Sequence, residues 1–150
     1  MTVSLDTNIL VYAANTDDHA KSLFAQDVIR RAAMVEGSVL TLQCLAEFFR
    51  VMTVKGRMPH SEARRFIDDW RSPFHVHAAN VDALYNAMEA VASHRIPVFD
   101  ALLWATARQA GCTTILTEDF QDGRSLGGVT FLNPFDPKNA RRLDRVLPPL

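Results

Sequence analysis

Four acidic residues stand at positions where a carboxylate can do more than face solvent: Asp6, Glu47, Asp100 and Asp119. Asp6 ends a short apolar run, and Asp119 closely follows another one. Asp100 opens a strongly apolar stretch, whereas Glu47 stands beside Phe48 in a segment of helical pattern. Carboxylates that are brought close together repel one another and raise each other's pKa values. A group of this kind is therefore tolerable where a divalent cation lies among its members.

The residue types indicate which cation and which reaction such a group would serve. A site of carboxylate oxygens with few protein ligands suits Mg²⁺ or Mn²⁺ rather than zinc. Such an ion lowers the pKa of a bound water and polarises a phosphodiester for in-line attack. The acids taken alone thus indicate metal-dependent hydrolysis of a phosphate ester.

Each acid also has an ordinary structural explanation. Asp6 and Asp100 are suitable helix N-caps, which contribute about 0.5–2 kcal/mol each. Glu47 can be a solvated helical acid that pairs with Arg50, and Asp119 can be a turn residue. These alternatives stay open for the acids one by one, but a shared location for all four favours the metal interpretation.

The elements that must position these acids are short apolar strands that alternate with helical patterns. Strands are predicted at residues 2–5, 38–42, 74–78, 113–116 and 129–132. Helices are predicted at residues 8–14, 19–35, 43–55, 59–71, 80–94 and 101–110, with 96–99 as a non-helical approach to Asp100. Because no tight hairpin turn joins the strands, they are expected to pair in parallel through helical crossovers, which gives a central parallel sheet with helices on both faces.

In a parallel sheet the carboxyl ends of all strands share one edge, where α/β folds bind their ligands. Asp6, Asp100 and Asp119 are expected to project from that edge, and Glu47 to lean in from the helix that follows the second strand. In the helix at 80–94, apolar residues at helical spacing predict a single apolar face, which consists of Val81, Leu84, Tyr85, Met88 and Val91.

The composition limits the classes of function. A chain of 150 residues fits one domain, and its 48% hydrophobic and 22% charged residues are ordinary for a globular protein. The formal net charge of −1 gives no electrostatic reason to expect nucleic acid, so that partner would need a local basic patch or metal ions. Cys44 and Cys112 match no metal-ligand spacing and are predicted to be buried free thiols, as suits a cytoplasmic protein. Neither a signal peptide nor a membrane-spanning stretch is expected.

Four segments in order resemble the motifs of one family. They are LDTNIL at residues 5–10, LAEF at 45–48, FDALLWATA at 99–107 and LTEDFQDG at 116–123, followed by a closing strand and Asn133-Pro134-Phe135. Together they run over about residues 2–135 and resemble the PIN-domain ribonucleases, in particular the VapC-like toxins of toxin–antitoxin pairs. A lone Asp-Thr-Asn would mean little, but four elements at these separations are specific.

The resemblance implies a three-layer α/β/α sandwich around a five-stranded parallel sheet, with a nuclease domain at residues 1–135 and a basic tail or short terminal helix at 136–150. It also implies a Mg²⁺- or Mn²⁺-dependent endoribonuclease that is commonly a homodimer and is silenced by a cognate antitoxin. The implied metal ligands are Asp6, Glu47, Asp100 and Asp119, and the implied supporting residues are Thr7, Asn8 and Thr117.

One position departs from the common family pattern. Many members carry an acid two residues after the fourth acid, where this chain has Gln121, and here an acid follows at Asp122. Asp122 is therefore a candidate for contact with the metal or its waters. Two further interpretations stay open: a catalytically weak PIN-fold module that binds RNA or protein, and an RNA-processing nuclease that is not a toxin.

Two other groups of residues are candidate binding sites. His75 and His77 share a strand face, but no third ligand is evident, which favours a structural or solvated role. The basic group at 138–145 can contact RNA phosphates, although a solvated face is the more common explanation.

Overall fold

The computed structural model describes residues 2–150, and these fold around one six-stranded sheet. The strands lie in the order β3-β2-β1-β4-β6-β5, and all neighbours pair in parallel except β5 and β6, which are antiparallel. Their bounds are β1 Val3–Leu5, β2 Val39–Thr41, β3 His75–His77, β4 Thr114–Leu116, β5 Ser125–Leu126 and β6 Val129–Leu132. The five predicted strands are confirmed, and the two-residue β5 at the sheet edge is an addition that the sequence pattern did not predict.

Helices cover both faces of this sheet, so the predicted α/β sandwich is confirmed. They are α1 Thr7–Ala14, α2 His19–Ala33, α3 Leu42–Arg50, α4 His60–Arg71, α5 Val81–His94, α6 Val98–Gln109 and α7 Ala140–Val146. A π-helical turn, Val51–Lys55, continues α3, and a 3₁₀ turn, Pro137–Asn139, precedes α7. Within residues 2–150 no helix is both long enough and apolar enough to cross a membrane.

Local sequence explains where several helices begin. Thr41 closes β2 and caps α3, because its hydroxyl accepts a hydrogen bond of 3.2 Å from the Cys44 amide. Asn80 caps α5 in the same way, at 2.9 Å from the Ala83 amide. Such caps satisfy amides that the first helical turn leaves without partners.

The start of α6 differs from the prediction. Residues 98 and 99 are helical rather than an extended approach, and the carbonyl of Pro97 accepts a hydrogen bond of 2.9 Å from the Ala101 amide. Proline suits this position because it is the N-cap, where a missing N–H removes no helical hydrogen bond. Asp100 consequently lies inside the first turn of α6, where its negative charge interacts favourably with the positive end of the helix dipole.

Four of the five apolar residues predicted to share a face of α5 point away from the core, whereas Val91 is partly buried against it. Val81 and Tyr85 are 67% and 66% exposed, and Leu84 and Met88 are exposed as well. The face that packs against the core consists of small residues, namely Ala83, Ala87 and Ala90. Their short side chains allow α5 to lie close to α6, and the larger residues remain on the outside.

The segment at 136–150 packs on the same core as the rest of the chain. Leu143 and Leu147 are buried, and the guanidinium of Arg31 in α2 fastens the segment. Arg31 donates to the Leu147 carbonyl and lies 2.8 Å from the Asp144 carboxylate. The basic side chains of the segment are exposed: Lys138, Arg141, Arg142 and Arg145.

Candidate metal centre at the carboxyl edge of the sheet

Asp6 lies at the carboxyl end of β1 and is almost completely buried, with 6% of its surface exposed. Its Oδ1 accepts a hydrogen bond of 2.7 Å from the Thr7 amide, and its Oδ2 accepts one of 2.7 Å from the Thr117 hydroxyl. Thr117 follows β4, and the parallel register pairs Leu5 with Leu116. The sheet itself therefore sets these two residues side by side.

Burial raises the pKa of Asp6 to about 6 and is the largest cause of the shift. The hydrogen bonds from Thr117 and Thr7 oppose it, while the charges of Asp119 and Asp100 add to it. The pKa of Asp100 is also raised, first by burial and then by Asp119 and Glu47. The four acids singled out from the sequence thus form one electrostatically coupled group.

Glu47 enters this group from α3. Its Oε2 accepts a hydrogen bond of 2.6 Å from the Thr7 hydroxyl, and its Oε1 accepts one of 3.0 Å from Nε2 of Gln43. The same Gln43 nitrogen donates to the Phe99 carbonyl at 2.9 Å, which connects α3 to the start of α6. Gln43 was not predicted as a site residue, although its place four residues before Glu47 puts both on one helix face.

The donor set fits a hard divalent cation. It consists of carboxylate oxygens, and the side-chain amide of Asn8, two residues after Asp6, is buried without a hydrogen-bond partner within residues 2–150. Within residues 2–150, however, no three acidic, histidine or cysteine side chains converge closely enough to ligate one ion directly. The all-oxygen donor set fits Mg²⁺ or Mn²⁺ held by few protein oxygens, because Mg²⁺ usually keeps several of its waters.

The PIN domain family model matches residues 3–121, which is most of the chain. The chain belongs to the PIN domain family. No curated protein matches the sequence.

Several solved structures share this PIN fold at low sequence identity. The toxin VapC20 of Mycobacterium tuberculosis, described as cleaving the sarcin-ricin loop, aligns with a TM-score of 0.61 and 19% identity over 78% of this chain and 91% of that chain. A toxin–antitoxin complex from Klebsiella pneumoniae aligns with a TM-score of 0.65 and 19% identity over 89% and 98%. VapBC2 of Rickettsia felis, bound to a promoter DNA fragment, aligns with a TM-score of 0.66 and 17% identity over 89% and 98%. At these identities the likeness establishes the fold.

Asp122 lies apart from the coupled acids of the PIN domain. Its Oδ1 accepts a hydrogen bond of 2.8 Å from the Asn133 amide, and its Oδ2 accepts one of 2.8 Å from Nδ2 of Asn139. Both carboxylate oxygens therefore tie the loop after β4 to the segment that leads into α7. Gln121, which replaces the acid common in the family, is exposed.

Glu118 is a further charged residue beside the site that the sequence did not single out. Its two oxygens contact Tyr12 and Lys21, and these contacts lower its pKa although burial acts in the opposite direction. The contacts connect positions 106 and 97 residues apart, so no local pattern could predict them.

His75 and His77 lie on β3 with ring centres 5.7 Å apart, and no third ligand joins them within residues 2–150.

Proposed function

We propose that this PIN domain, at residues 1–135, is a Mg²⁺- or Mn²⁺-dependent endoribonuclease that hydrolyses RNA phosphodiester bonds. The observation that carries the proposal is the burial of Asp6 at the carboxyl edge of the sheet, where the next residue, Thr7, donates a hydrogen bond to Glu47 of α3 and so brings two carboxylates from separate elements to that edge. Carboxylates that raise one another's pKa at a ligand-binding edge are expected where a cation neutralises them. We assign Asp6, Glu47, Asp100 and Asp119 to the metal.

The surrounding residues hold these acids in place. Thr117 and the Thr7 amide fix the two oxygens of Asp6, while the Thr7 hydroxyl and Gln43 fix the two oxygens of Glu47. We assign Asn8 to a supporting role through its unpartnered amide. When bound, a divalent ion supplies a water of lowered pKa and charge stabilisation at the phosphate. We assign Asp122 to holding the loop, because its two oxygens bind Asn133 and Asn139 and its charge does not contribute to the raised pKa of Asp6 or Asp100.

The cleavage assay compares the unsubstituted chain with Asp6→Asn and Asp100→Asn. Cleavage of single-stranded RNA should require Mg²⁺ or Mn²⁺, stop in chelator, and fall about 100-fold or more in each variant. That magnitude reflects the several kcal/mol that metal charge stabilisation supplies, at tenfold for each 1.4 kcal/mol.

Asp68→Asn is the matched control for this assay, because Asp68 is an exposed acid on α4 whose pair with Arg64 spans 3.8 Å. This variant should keep the full rate. Undiminished cleavage in chelator, or in both site variants, would refute the proposal.

We further propose that the chain is the toxin of a toxin–antitoxin pair and acts in the cytoplasm. The support is the fold shared with VapC20 and with two toxin–antitoxin assemblies, and both cysteines are buried free thiols, as a reducing compartment allows. An open groove of about 570 Å³ between α2 and α4, lined in part by Ile29, Phe66 and Trp70, suits an amphipathic helix of the antitoxin.

Expression of the chain alone tests the toxin proposal. Growth should stop, and co-expression of the small protein encoded beside it should restore growth. The Asp6→Asn variant is the control, since it should express without arrest. RNA cleavage in vitro without any growth arrest would instead favour an RNA-processing nuclease.

We also propose a homodimer that pairs α5 with its copy. The exposed residues Val81, Leu84, Tyr85 and Met88 follow one another at steps of three, one and three. This order of steps is the same from either end, so a two-fold axis between Leu84 and Tyr85 sets Val81 of one copy on Met88 of the other. An isologous dimer interface uses the same patch on both copies, and this arrangement matches apolar residues with apolar residues across the axis.

A further inference from the structure

Glu118, the residue before Asp119, uses both carboxylate oxygens to contact other elements. Oε1 accepts a hydrogen bond of 2.5 Å from the Tyr12 hydroxyl in α1, and Oε2 lies 2.7 Å from Nζ of Lys21 in α2. Nζ of Lys21 also lies 3.9 Å from the centre of the Tyr12 ring. Each of the three side chains therefore contacts the other two, and we call the set of Glu118, Tyr12 and Lys21 the Glu118 clamp.

Phe135 packs against two members of the Glu118 clamp. The Tyr12 ring packs edge-on against Phe135 with centres 5.3 Å apart, and Nζ of Lys21 lies 4.8 Å from the centre of the Phe135 ring. A cation over an aromatic face and an edge-to-face ring pair are both favourable contacts. The clamp thus connects α1, α2 and the segment after β6 to the single residue Glu118.

Asp119 depends on its backbone for its position. Its side chain is exposed, and within residues 2–150 no hydrogen bond holds its carboxylate. On one side its amide donates a hydrogen bond of 3.1 Å to the Thr117 hydroxyl, which in turn donates to Asp6. On the other side of this stretch, within residues 2–150, the side chain of Glu118 alone connects residues 118–119 to the helices by hydrogen bonds.

We propose that the Glu118 clamp is the positioning device for Asp119, and that it fixes the loop so that the Asp119 carboxylate faces Asp6 and Asp100 at the divalent cation. This inference rests on the metal site proposed above. Lys21 neutralises Glu118 and occupies one of its oxygens, while Tyr12 occupies the other. Glu118 therefore anchors the loop without competing with Asp119 as a ligand.

The sign of one substitution separates positioning from simple electrostatics. If the clamp acted only through charge, Glu118→Gln would weaken the binding of a cation, and Lys21→Met would strengthen it, because a nearby positive charge is lost. If the clamp positions Asp119, both substitutions weaken binding, and Tyr12→Phe, which changes no charge, weakens it too.

Mn²⁺ binding to the full chain, measured by isothermal titration calorimetry without RNA, supplies the readout. We expect Lys21→Met and Glu118→Gln each to weaken Mn²⁺ binding about 10-fold, at the low end of the effect of residues that orient metal ligands. The double variant should lose no more than either single variant, since one unit is broken. Lys21→Arg, which keeps charge and donor, should restore most of the affinity.

Glu36→Gln is the charge-matched control, because Glu36 is exposed in the loop before β2, at the opposite edge of the sheet. Its Mn²⁺ affinity should equal that of the unsubstituted chain. Tighter Mn²⁺ binding by Lys21→Met, or an unchanged affinity in all three clamp variants, would overturn the clamp.

Amide hydrogen exchange without metal separates failure of the clamp from failure of the metal site. The Asp119 amide, bonded to Thr117, and the Gly123 amide, 2.8 Å from the Phe131 carbonyl, report on the loop. Clamp variants should exchange faster at Asp119 while the sheet stays protected. If the unsubstituted chain bound no Mn²⁺, the metal proposal would fall, and unchanged exchange at Asp119 in the clamp variants would refute the clamp as well.

Discussion

At the scale of single residues, Asp6 is the position where the proposed metal site needs a negative charge that the fold buries at a cost in stability. Burial raises its pKa to about 6, against an ordinary value of 3.8. The folded chain therefore holds this proton more tightly than the unfolded chain does. The resulting stabilisation is complete below about pH 4 and is lost as the pH rises through 6, and it amounts to about 3 kcal/mol at most.

Asp6→Asn should accordingly stabilise the chain in the absence of divalent ions, because it removes a buried charge while its side-chain oxygen can still accept from the Thr7 amide. We expect the free energy of unfolding to rise by about 1–3 kcal/mol at pH 8 and to change little at pH 4. Urea denaturation in chelator at the two pH values measures this difference.

The exposed Asp68→Asn should show no such pH-dependent gain, which makes it the control for this measurement. Equal losses of stability at pH 8 and pH 4 in Asp6→Asn would contradict the assignment. Mn²⁺ should stabilise the unsubstituted chain and so remove the stability advantage of Asp6→Asn over it. That result would connect the buried charge to the ion, because binding requires the ionised carboxylate.

At the scale of elements, the strand ends could be predicted from the sequence because a parallel sheet brings them to one edge. Asp6 and Thr117 follow buried strands, and the pairing of Leu5 with Leu116 sets them together. Short apolar runs that stop at a polar residue carry this information locally. The same reasoning located Asp100 near the edge although it misplaced the start of α6 by residues 98 and 99.

The direction of a helix face could not be predicted in the same way. Spacing shows which residues of α5 share a face, but it does not show whether that face meets the core. In this fold Ala83, Ala87 and Ala90 meet the core, since a close approach to α6 leaves room only for small side chains. Hydrophobicity alone would therefore place the wrong side of α5 in the interior.

Side-chain contacts between distant elements were equally beyond the sequence pattern. Tyr12 reaches Glu118 across 106 positions, and Asp122 reaches Asn139 across 17. Such contacts depend on how helices cross the sheet, which no periodicity encodes. This is why Asp122 was a candidate metal contact, whereas the structure uses both of its oxygens to hold other segments.

At the scale of the whole molecule, the C-terminal segment is part of the packed structure. Leu143 and Leu147 are buried, and the guanidinium of Arg31 satisfies carbonyl groups near the end of the chain. A domain boundary at residue 135 stays a prediction, because residues on both sides of it share one hydrophobic core. Within residues 2–150, the outer face of α5 is one exposed apolar surface.

If α5 pairs with its copy, a charge on its outer face should separate the two copies. Val81→Glu and Met88→Glu should each change the sedimenting species from twice 16.8 kDa to 16.8 kDa at micromolar concentration. A two-fold axis repeats each substitution, so each variant buries two unpaired carboxylates against the apolar Met88 or Val81 of the other copy. Burial of an unpaired charge costs several kcal/mol, which weakens dimerisation about 100-fold or more. Sedimentation velocity with the unsubstituted chain as reference measures the change.

Val54→Glu is the matched control for this experiment, because Val54 is 66% exposed, nearly the same as the 67% of Val81, but lies in the π-helical turn after α3. It introduces the same charge at an equally exposed valine, so it should leave the dimer intact. If the unsubstituted chain sediments as a monomer, or if Val54→Glu dissociates the dimer while both α5 variants do not, then α5 is not the contact between copies. Dissociation in both α5 variants with unchanged Mn²⁺ binding would place the dimer contact apart from the metal centre, since α5 contributes none of the four acids.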